Sequence, residues 1–498
     1  MDGQSSKFAR ETPLLERGRD SSAPASSING ATAIDKPGPE VIGLKTTLRP
    51  LGEPLKSEES SGGLTRRLSH ASVWALFIYA GGAALTFAAQ LVIARLVGVV
   101  SYGIYTYAFA WITLLSYGST LGFHVSVLRF VPAYEATNQF PMALGFIQFG
   151  FKASVAAAFL VAIVGALIVT GSPRNLDPEL ATSMLIGMAT LPLITIYLAG
   201  AGIVRAFGGV VSSLLPERIV RDGLVLALLG LAAFLTPWHM DATIGMWTLL
   251  VSSAVAVFIT GVNVRRLWPA DLSSVQPAYA LQDWWPSLLP ITIMTFVDIL
   301  MGRTGVMLLG WSGVIKGAGI FAVGSSMAML LTLPRVAVST AFGPAISRLF
   351  ARKDSAALQA LFGRATVLSF AGGAALALPL LVFTEPLLRA FGGEFASGVQ
   401  ITRLLVIGQL LVAATGPQQQ LMIMTGHERA AAILMSVVAT LNVLGCVVGI
   451  AMYGAVGAAI VTSAMMVIWS VAQAVYVHLR LGILPGSMWR LRMRADPR

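Results

Sequence analysis

The sequence predicts an all-α polytopic membrane protein with about 12 transmembrane helices, six in each half of the chain. Composition is the first reason: 56% of the 498 residues are hydrophobic and 11% are charged, whereas soluble domains have roughly 25% charged residues. The second reason is that apolar runs of about 20 residues, the length needed to cross a bilayer of ~30 Å, recur along the chain. The third is a weak internal repeat at half of the chain length, which is typical of duplicated membrane proteins.

The apolar runs set the predicted boundaries of the helices. Backbone amides in lipid have no water to bind, so each run must form a helix whose hydrogen bonds are internal. Pro334 lies within the eighth run, and we expect it to kink that helix. We place the spans at 72–95, 104–128, 146–170, 180–204, 211–236, 242–262, 286–310, 317–343, 357–384, 398–424, 430–452 and 455–478.

Two pairs of glycine-containing segments carry the internal repeat. Gly98-Val99 followed by Gly103-Ile104-Tyr105 resembles Gly313-Val314 followed by Gly319-Ile320-Phe321, and 206–209 resembles 424–427 at a similar separation. With six helices in each half, the two repeats would have the same orientation and would be related by an axis along the membrane normal. An accidental match between glycine-rich apolar segments is the alternative.

The same pattern divides the chain into four segments. We predict a disordered cytoplasmic tail at 1–69, a first six-helix bundle at 70–268, a second at 269–482 and a basic cytoplasmic tail at 483–498. The first tail is rich in Ser, Gly, Pro and mixed charge, as disordered segments are, and we interpret it as a passive leader. Basic residues accumulate on the N-terminal side of the membrane, so the positive-inside rule predicts that both termini are cytoplasmic. They include Arg205, Arg218, Arg221, Arg265 and Arg266.

Several function classes lack the residues they would need. The chain contains no Gly-Lys pair, so a phosphate-binding loop for ATP hydrolysis is excluded. Its five histidines are scattered without the spacing of metal ligands, and its one cysteine, Cys446, cannot form an intrachain disulfide. The net charge of +11 is spread over helix ends instead of forming a nucleic-acid-binding patch. Short outer loops without an Asp-x-Asp pair argue against a membrane glycosyltransferase or polymerase.

Several segments resemble one family of membrane proteins. They include LVIARLVGVVSYGIYTYAFAWITLL in the first half and VDILMGRTGVMLLG and GPQQQLMIMTGHERAAAILMSVVATLNVLG in the second. Their order and spacing, from about Leu68 to Gly482, resemble the Wzx-like oligosaccharide and polysaccharide flippases. This family belongs to the multidrug/oligosaccharidyl-lipid/polysaccharide exporter superfamily. Phe321 departs from the pattern, because the family more often has Tyr there.

The resemblance implies both an architecture and a function. The architecture is two six-helix bundles around a central cavity in the bacterial cytoplasmic (inner) membrane. The function is to move an undecaprenyl-diphosphate-linked oligosaccharide from the inner to the outer face by alternating access, for lipopolysaccharide or exopolysaccharide synthesis. The implied partners are that polyprenyl-diphosphate-linked oligosaccharide, membrane lipids, and the polysaccharide polymerase and chain-length proteins. No cofactor is implied, and nucleic acid is not expected as a partner.

Three alternatives compete with this interpretation. A multidrug and toxin extruder-type cation antiporter belongs to the same superfamily, but it should line its cavity with acidic and aromatic groups. A major-facilitator permease shares the layout of six plus six helices, but its basic, Asp-containing signature after the second helix is missing. A membrane enzyme or scaffold of glycan assembly is the alternative outside transport, and the deep charges argue against a passive scaffold.

Three charged residues lie at depths where charge is costly. Arg303 lies past the middle of the seventh predicted helix, Arg335 in the inner half of the eighth, and Asp298 near the bilayer centre. Each arginine is a candidate to bind the diphosphate, or alternatively to pair with Asp298 and fix helix packing. Asp298 is a candidate for ion coupling or for the counter-ion of an arginine. Five positions place Asp298 and Arg303 about 140° apart around a helix, which favours a partner for Asp298 on another helix.

Two further basic residues are candidates for the path of the headgroup. Arg129 lies at the inner end of the second predicted helix, where it could receive the diphosphate when the cavity faces inward. Lys152 lies in the inner third of the third predicted helix. For Lys152 we favour an alternative in which the ammonium group extends to the headgroup layer while its stem stays in lipid.

A charged segment in the fifth predicted helix receives a structural interpretation. It contains Glu217, Arg218, Arg221 and Asp222. The i,i+4 spacing of Arg218 and Asp222 places them on one face of an α-helix, where they can stabilise each other.

Overall fold

A computed structural model describes residues 58–171, 177–235 and 240–484. Most of the predicted N-terminal tail (1–57) and most of the predicted C-terminal tail (485–498) lie outside these residues. Residues 58–69, which we assigned to the tail, instead form the first turns of a helix. Extending a helix is easy once its apolar part has formed, because nucleation is the costly step.

Sixteen α-helices make up the described part of the chain. They are α1 (Glu58–Ser119), α2 (Phe123–Ala136), α3 (Phe140–Gly171), α4 (Pro178–Ala206), α5 (Val210–Leu215), α6 (Asp222–Leu235), α7 (Ala242–Leu267), α8 (Ala270–Ser273), α9 (Leu281–Trp311), α10 (Ile315–Met329), α11 (Thr332–Ala351), α12 (Ser355–Val382), α13 (Thr384–Phe391), α14 (Val399–Thr415), α15 (Gln418–Met424) and α16 (Glu428–Leu481). A π-helical turn, Pro216–Arg221, joins α5 to α6, and a 3-10 turn, Gly393–Gly398, precedes α14.

Each of the twelve predicted spans coincides with one of these helices or with consecutive ones. In the described ranges, eight helical stretches are long and apolar enough to cross a membrane, and α10 with α11 forms a ninth. Two of the eight exceed one span, and each is divided by a non-helical glycine, Gly98 in α1 or Gly454 in α16. The remaining span runs from α5 to α6 through the π-helical turn. The predicted all-α polytopic fold is confirmed.

The eighth and tenth spans are both broken near their middle. α10 and α11 meet at an angle of 41°, and Pro334 in the first turn of α11 has no N–H to continue the helix from α10. The kink predicted there is present. In the tenth span, α14 ends at Gly416, whose φ is 85°, and Pro417 precedes α15.

The two halves meet in a reciprocal contact between repeat-related glycines. A Cβ atom on Gly103 would lie 2.2 Å from the carbonyl oxygen of Ile315, and a Cβ on Gly319 would lie 2.7 Å from that of Val99. Because Val99 and Ile315 each stand four residues before their own glycine, each half makes the same contact with the other. A contact of this kind is what a two-fold axis between related segments produces, and it agrees with the predicted repeat.

The other repeat-related glycines share a positive φ angle. The φ angle is 81° at Gly98 and 77° at Gly313, and it is 82° at Gly208 and 81° at Gly426. A positive φ of this size strongly favours glycine. The matching segments of the two halves therefore have glycine where the backbone needs a positive φ. We use these glycines to name the two ends of the helices: the Gly98 end, with Gly98, Gly313 and Gly454, and the Gly208 end, with Gly208 and Gly426.

At the Gly98 end, the two halves share one hydrophobic core. Tyr102 meets Phe395 edge-to-face with ring centroids 5.7 Å apart, and Phe87 meets Phe391 in the same way at 5.5 Å. Arg95 Nη1 donates a hydrogen bond of 3.2 Å to the carbonyl oxygen of Ala390. All of these contacts join α1 to the segment from α13 to the 3-10 turn, so this end of the protein is closed.

At the Gly208 end, two separate cores take the place of the shared one. The first contains Phe123, Phe146 and Trp284, and the second contains Phe362, Met422 and Val477. The second core draws only on residues of the second half. The halves are therefore joined at one end and packed separately at the other.

Helix α9 is the exception to this separation. It begins in the core of the first half, where Trp284 Nε1 donates a hydrogen bond of 2.9 Å to Tyr134 Oη. It then follows α1, with Phe296 against Gly118 and Gly310 against the ring of Tyr107. It also packs against α16. α9 thus links the two halves along its length and carries both Asp298 and Arg303.

Candidate functional site

Arg303 lies at the seam between the two halves. Its Cζ atom is 5.2 Å from the ring centroid of Phe109 on α1, an arrangement in which the aromatic face attracts the guanidinium group. Tyr102 and Tyr117 of α1 are within electrostatic reach. Arg303 is about 12 Å from the end of α9, since eight residues at ~1.5 Å each separate it from Trp311. The structure therefore turns this arginine toward protein at the depth of the apolar core.

Asp298 faces a different neighbour from Arg303. It interacts electrostatically with Arg335 of α11, on another helix, as the angular argument favours. Among the described residues, however, no carboxylate oxygen lies within 4.0 Å of Arg303 or Arg335. The side chain of Asp298 is exposed. Asp298 and Arg335 therefore influence each other electrostatically without forming a direct ion pair.

Arg335 lines a cavity of about 360 Å³ between α11 and α15. The other lining side chains are Val336, Ser339, Pro417, Gln419, Gln420 and Ile423. The breaks in the eighth and tenth spans lie beside this cavity, because Arg335 follows Pro334 and the glutamines follow Pro417. Broken helices at membrane depth are tolerated where the freed backbone groups border protein or a water-filled space. The sequence predicts Arg335 here but gives no indication that the glutamines join it.

Arg129 and Lys152 lie apart from these three residues. Arg129 is exposed on α2 between Val125 and Pro132, with Cζ 5.8 Å from the centroid of the adjacent Phe130 ring. Lys152 is exposed on the same face of α3 as Phe159 and Ile163. An apolar exposed face of this kind suits contact with lipid, so the position of Lys152 fits the interpretation in which its ammonium group extends to the headgroups.

A buried polar cluster in the first half joins two residues that the sequence analysis interpreted as structural to two that it did not single out. We call it the Arg221 cluster, and it consists of Thr86, Tyr197, Arg221 and Asp222. Arg221 Nε is 2.7 Å from Asp222 Oδ1, and Arg221 Nη1 donates a hydrogen bond of 2.8 Å to Tyr197 Oη. Thr86 donates to the other oxygen of Asp222. The cluster is within electrostatic reach of Arg303, so it extends the charged region across the seam.

The π-helical turn explains why Asp222 has a different partner from the predicted one. The i,i+4 spacing predicted a pair of Arg218 and Asp222, but Arg218 and Arg221 lie on the π-helical turn Pro216–Arg221 inside the fifth span. A π-turn shifts the side chains that follow it around the helix axis, and Asp222 pairs with Arg221 next to it while Arg218 lies 3.9 Å from Glu217. Four ionisable residues within one predicted span are rare, and this was the signal that could have marked the segment as more than structural.

A second cavity, of about 530 Å³, lies at the Gly208 end of the first half. Its lining includes Gly209, Ser212, Asn263 and Arg266. It is larger than the cavity at Arg335, but no deep charge borders it, and Arg266 belongs to the last turn of α7. We therefore place the candidate site at the seam and at Arg335. No group of His, Cys, Asp or Glu residues in the described ranges has the arrangement of a metal site.

Solved structures of other proteins resemble this chain in overall fold. No protein-family model matches the sequence, and no curated protein sequence matches it either. An inward-facing multidrug resistance MATE family transporter of the MOP superfamily aligns over 80% of this chain and 94% of its own, with a TM-score of 0.66 and 14% identity. The fold is that of MOP superfamily transporters.

Two further structures have the same fold. The lipid II flippase MurJ, in an inward closed conformation, has a TM-score of 0.62 and 15% identity, covering 83% of this chain and 88% of its own. A MOP superfamily transporter from Pyrococcus furiosus has a TM-score of 0.60 and 14% identity, covering 83% and 95%. It is described by a reverse polarity of its binding pocket that suggests a different function. The TM-scores establish the shared fold, and sequence identities this low leave the substrate to be argued from the residues.

Proposed function

We propose that this protein is a Wzx-like flippase that moves an undecaprenyl-diphosphate-linked oligosaccharide across the bacterial cytoplasmic membrane. The observation that carries the proposal is the pair of inward-turned arginines, Arg303 and Arg335, neither of which has a carboxylate in direct contact among the described residues. A cation held in this way is costly in the apolar core, and an anionic ligand would offset that cost. The fold that the chain shares with the lipid II flippase supports a lipid-linked substrate.

The physical problem that the protein solves is the headgroup. A diphosphate with attached sugars cannot enter hydrocarbon without losing its hydration, at a cost far above that of a neutral polar group. Guanidinium groups replace water with charge-assisted hydrogen bonds to the phosphate oxygens. Arg335 offers the first such contact beside its cavity, and Arg303 offers the next at the seam. Arg129, exposed on α2, is proposed as the residue that first contacts the headgroup. The position of Lys152 fits a contact with the headgroup least well.

Alternating access follows from the unequal ends of the helices. The Gly98 end is closed by contacts between the halves, whereas each half has its own core at the Gly208 end. We propose that 70–268 and 269–482 move as two bundles, with the Gly208 end and both termini cytoplasmic, so that the described state admits substrate from inside. Asp298 is then placed to take up an ion or to neutralise Arg335 when the substrate has left.

A multidrug cation antiporter is the second candidate. It is favoured by the fold shared with a MATE transporter and by the exposed carboxylate of Asp298 on α9. The two deep arginines oppose it, because they would repel an amphipathic cation from the same space.

The test uses Arg303→Ala and Arg335→Ala, made separately, with Arg265→Ala as the matched control at an exposed helix end. We expect each deep variant to slow appearance of lipid-linked repeat units at the outer face about tenfold, the loss of one charge-assisted hydrogen bond. The measurement is the leaflet distribution of these lipids together with surface polysaccharide. Normal polysaccharide from both variants would rule out the proposed path, and export of a cationic dye that survives both would favour the antiporter.

A further inference from the structure

The cavity beside Arg335 contains more hydrogen-bonding groups than a diphosphate requires. Gln419 and Gln420 line it with their amide-bearing side chains, and Ser339 adds a hydroxyl. An amide side chain has two donors and a carbonyl acceptor, and a hydroxyl both donates and accepts. Phosphate oxygens only accept, so the acceptor capacity of this wall would remain unused if a diphosphate were its only ligand.

We propose that the Arg335 cavity, lined by Arg335, Ser339, Gln419 and Gln420, binds the carbohydrate next to the diphosphate of the lipid-linked substrate. This inference rests on the proposed function and adds to it the place where the sugar is recognised. Sugar hydroxyls both donate and accept hydrogen bonds, which matches the mixed chemistry of the two amides and the serine.

The apolar part of the lining fits the same ligand. Val336, Pro417 and Ile423 complete the wall. Small-molecule sites combine a mainly apolar surface with a few well-placed polar groups, and the C–H faces of a sugar ring can pack on such a surface while its hydroxyls reach the amides. The lining contains no acidic side chain, so it does not suit an amphipathic cation.

The local backbone explains why the glutamines face the cavity. Gly416, with a φ of 85°, and Pro417 interrupt the tenth span directly before Gln418. Gln418 Nε2 donates a hydrogen bond of 2.8 Å to the carbonyl oxygen of Thr415, which ties α15 back to the end of α14. Gln418 thus stabilises the turn, and the two glutamines that follow it project into the space beside α11.

A glycine of α11 makes space for one of the two glutamines. Gly343 leaves room for Gln420, because a Cβ atom there would lie 3.1 Å from Gln420 Nε2. The amide of Gln420 therefore packs closely beside α11 at the wall of the cavity.

The neighbouring groups of the substrate match neighbouring side chains of the cavity. Arg335 and the two glutamines, Gln419 and Gln420, line the same cavity, and the diphosphate and the first sugar are adjacent in the substrate. A diphosphate held by Arg335 would therefore place its first sugar among the glutamines.

The experiment compares two ligands on the purified full-length protein in nanodiscs. The first is the lipid-linked oligosaccharide extracted from cells in which the gene is deleted, and the second is undecaprenyl diphosphate without sugar. Dissociation constants are measured for wild type, for the double variant Gln419→Leu/Gln420→Leu, for Arg335→Gln and for Gln400→Leu. Gln400 is the matched control, because it is exposed at the start of α14.

Wild type is expected to bind the glycosylated lipid at least tenfold more tightly than the bare lipid. The double variant should lose this preference and keep its affinity for undecaprenyl diphosphate, whereas Arg335→Gln should weaken both ligands about tenfold. Gln400→Leu should change neither. Melting temperatures of all variants establish that they are folded.

The outcomes separate the two proposals. Equal affinities of wild type for the two lipids, or an unchanged preference in the folded double variant, would overturn the sugar site and leave the flippase proposal standing. No binding of either lipid by wild type would overturn the flippase proposal, and the sugar site with it. A double variant that weakens both lipids equally would show that the glutamines hold the turn instead of the sugar.

Discussion

At the scale of single residues, Arg303 and Arg335 are charges in the apolar core whose chemistry depends on the side chains around them. The distance of each arginine from the ends of its hydrophobic run is enough to place it in that core. Their neighbours come from elsewhere in the chain: Phe109 contacts Arg303 across nearly 200 residues, and Gln419 meets Arg335 only because α15 packs on α11. A single sequence carries no record of such contacts.

The Arg221 cluster yields a prediction about stability. Asp222→Asn should lower the free energy of unfolding by about 3 kcal/mol, because it removes the charge that compensates the buried Arg221 guanidinium. Arg221 and Asp222 side chains are 13% and 8% exposed. Unfolding in detergent, followed by tryptophan fluorescence, measures the change.

The control for that prediction is an ion pair in water. Arg389 and Glu385 are 66% and 51% exposed, and exposed pairs contribute under about 1 kcal/mol. Glu385→Gln should therefore have little effect. Equal losses from Asp222→Asn and Glu385→Gln would show that the Arg221 cluster is solvated instead of buried.

At the scale of helices, the lengths of the hydrophobic runs predicted the spans, whereas the breaks within the spans were only partly predictable. All twelve apolar runs form helices, and Pro334 indicated the break in the eighth span. The π-helical turn was not predicted, because its hydrogen-bond register depends on burying Arg221 and Asp222 against Thr86 and Tyr197, which lie on other helices. Gly98 and Gly313 were recognised as a repeat, but their positive φ angles became clear only from the structure.

Helix contact at the two-fold axis gives a second prediction. Gly103→Val should force α1 away from α10, since even a Cβ atom would lie 2.2 Å from the Ile315 carbonyl oxygen. We expect a lower melting temperature and, in protein carrying Cys446→Ala, a Gly98 end that opens to membrane-impermeant thiol reagents at a cysteine replacing Val99, which is 5% exposed.

Gly302→Val is the matched control, because no atom lies within 4 Å of the position where its Cβ would stand. It lies in the same membrane and replaces the same residue type with the same side chain. A similar drop in melting temperature for both variants would mean that helix propensity, not contact between the halves, determines the effect.

At the scale of the whole molecule, the repeat was predictable and the difference between the two ends was not. Two similar halves imply similar helices, but nothing in a repeat says whether the halves meet at one end or at both. That depends on side chains such as Tyr102 and Phe395, whose contact spans the seam. The substrate could likewise be predicted only in part. The fold and the chemistry of the residues indicate a class of substrate, but they do not identify the sugar.

Closure of the Gly98 end gives a third prediction. Cysteines replacing Phe87 and Phe391, whose rings are 5.5 Å apart, should be bridged by a short bifunctional methanethiosulfonate reagent in protein carrying Cys446→Ala. The bridge should stop transport by holding this end shut, and reducing agent should restore it.

A bridge within one half serves as the control. Phe391 and Phe395 have ring centroids 6.2 Å apart and both belong to the second half, so cysteines there can be joined without tying the halves together. Transport should continue after that treatment. Continued transport with the Phe87–Phe391 bridge in place would mean that this end never needs to open.

The course of α9 has a mechanical consequence. Because Trp284 anchors its first turn among the aromatic rings of one half while the helix also packs against α16 of the other, tilting between the halves would strain this helix. Pro286 and Pro290 lie just after Trp284. Because each proline lacks the amide donor that a helix needs, α9 bends most easily there. Helix α9 also carries Asp298 and Arg303. A small bend near Trp284 would therefore move both charged side chains by a larger distance.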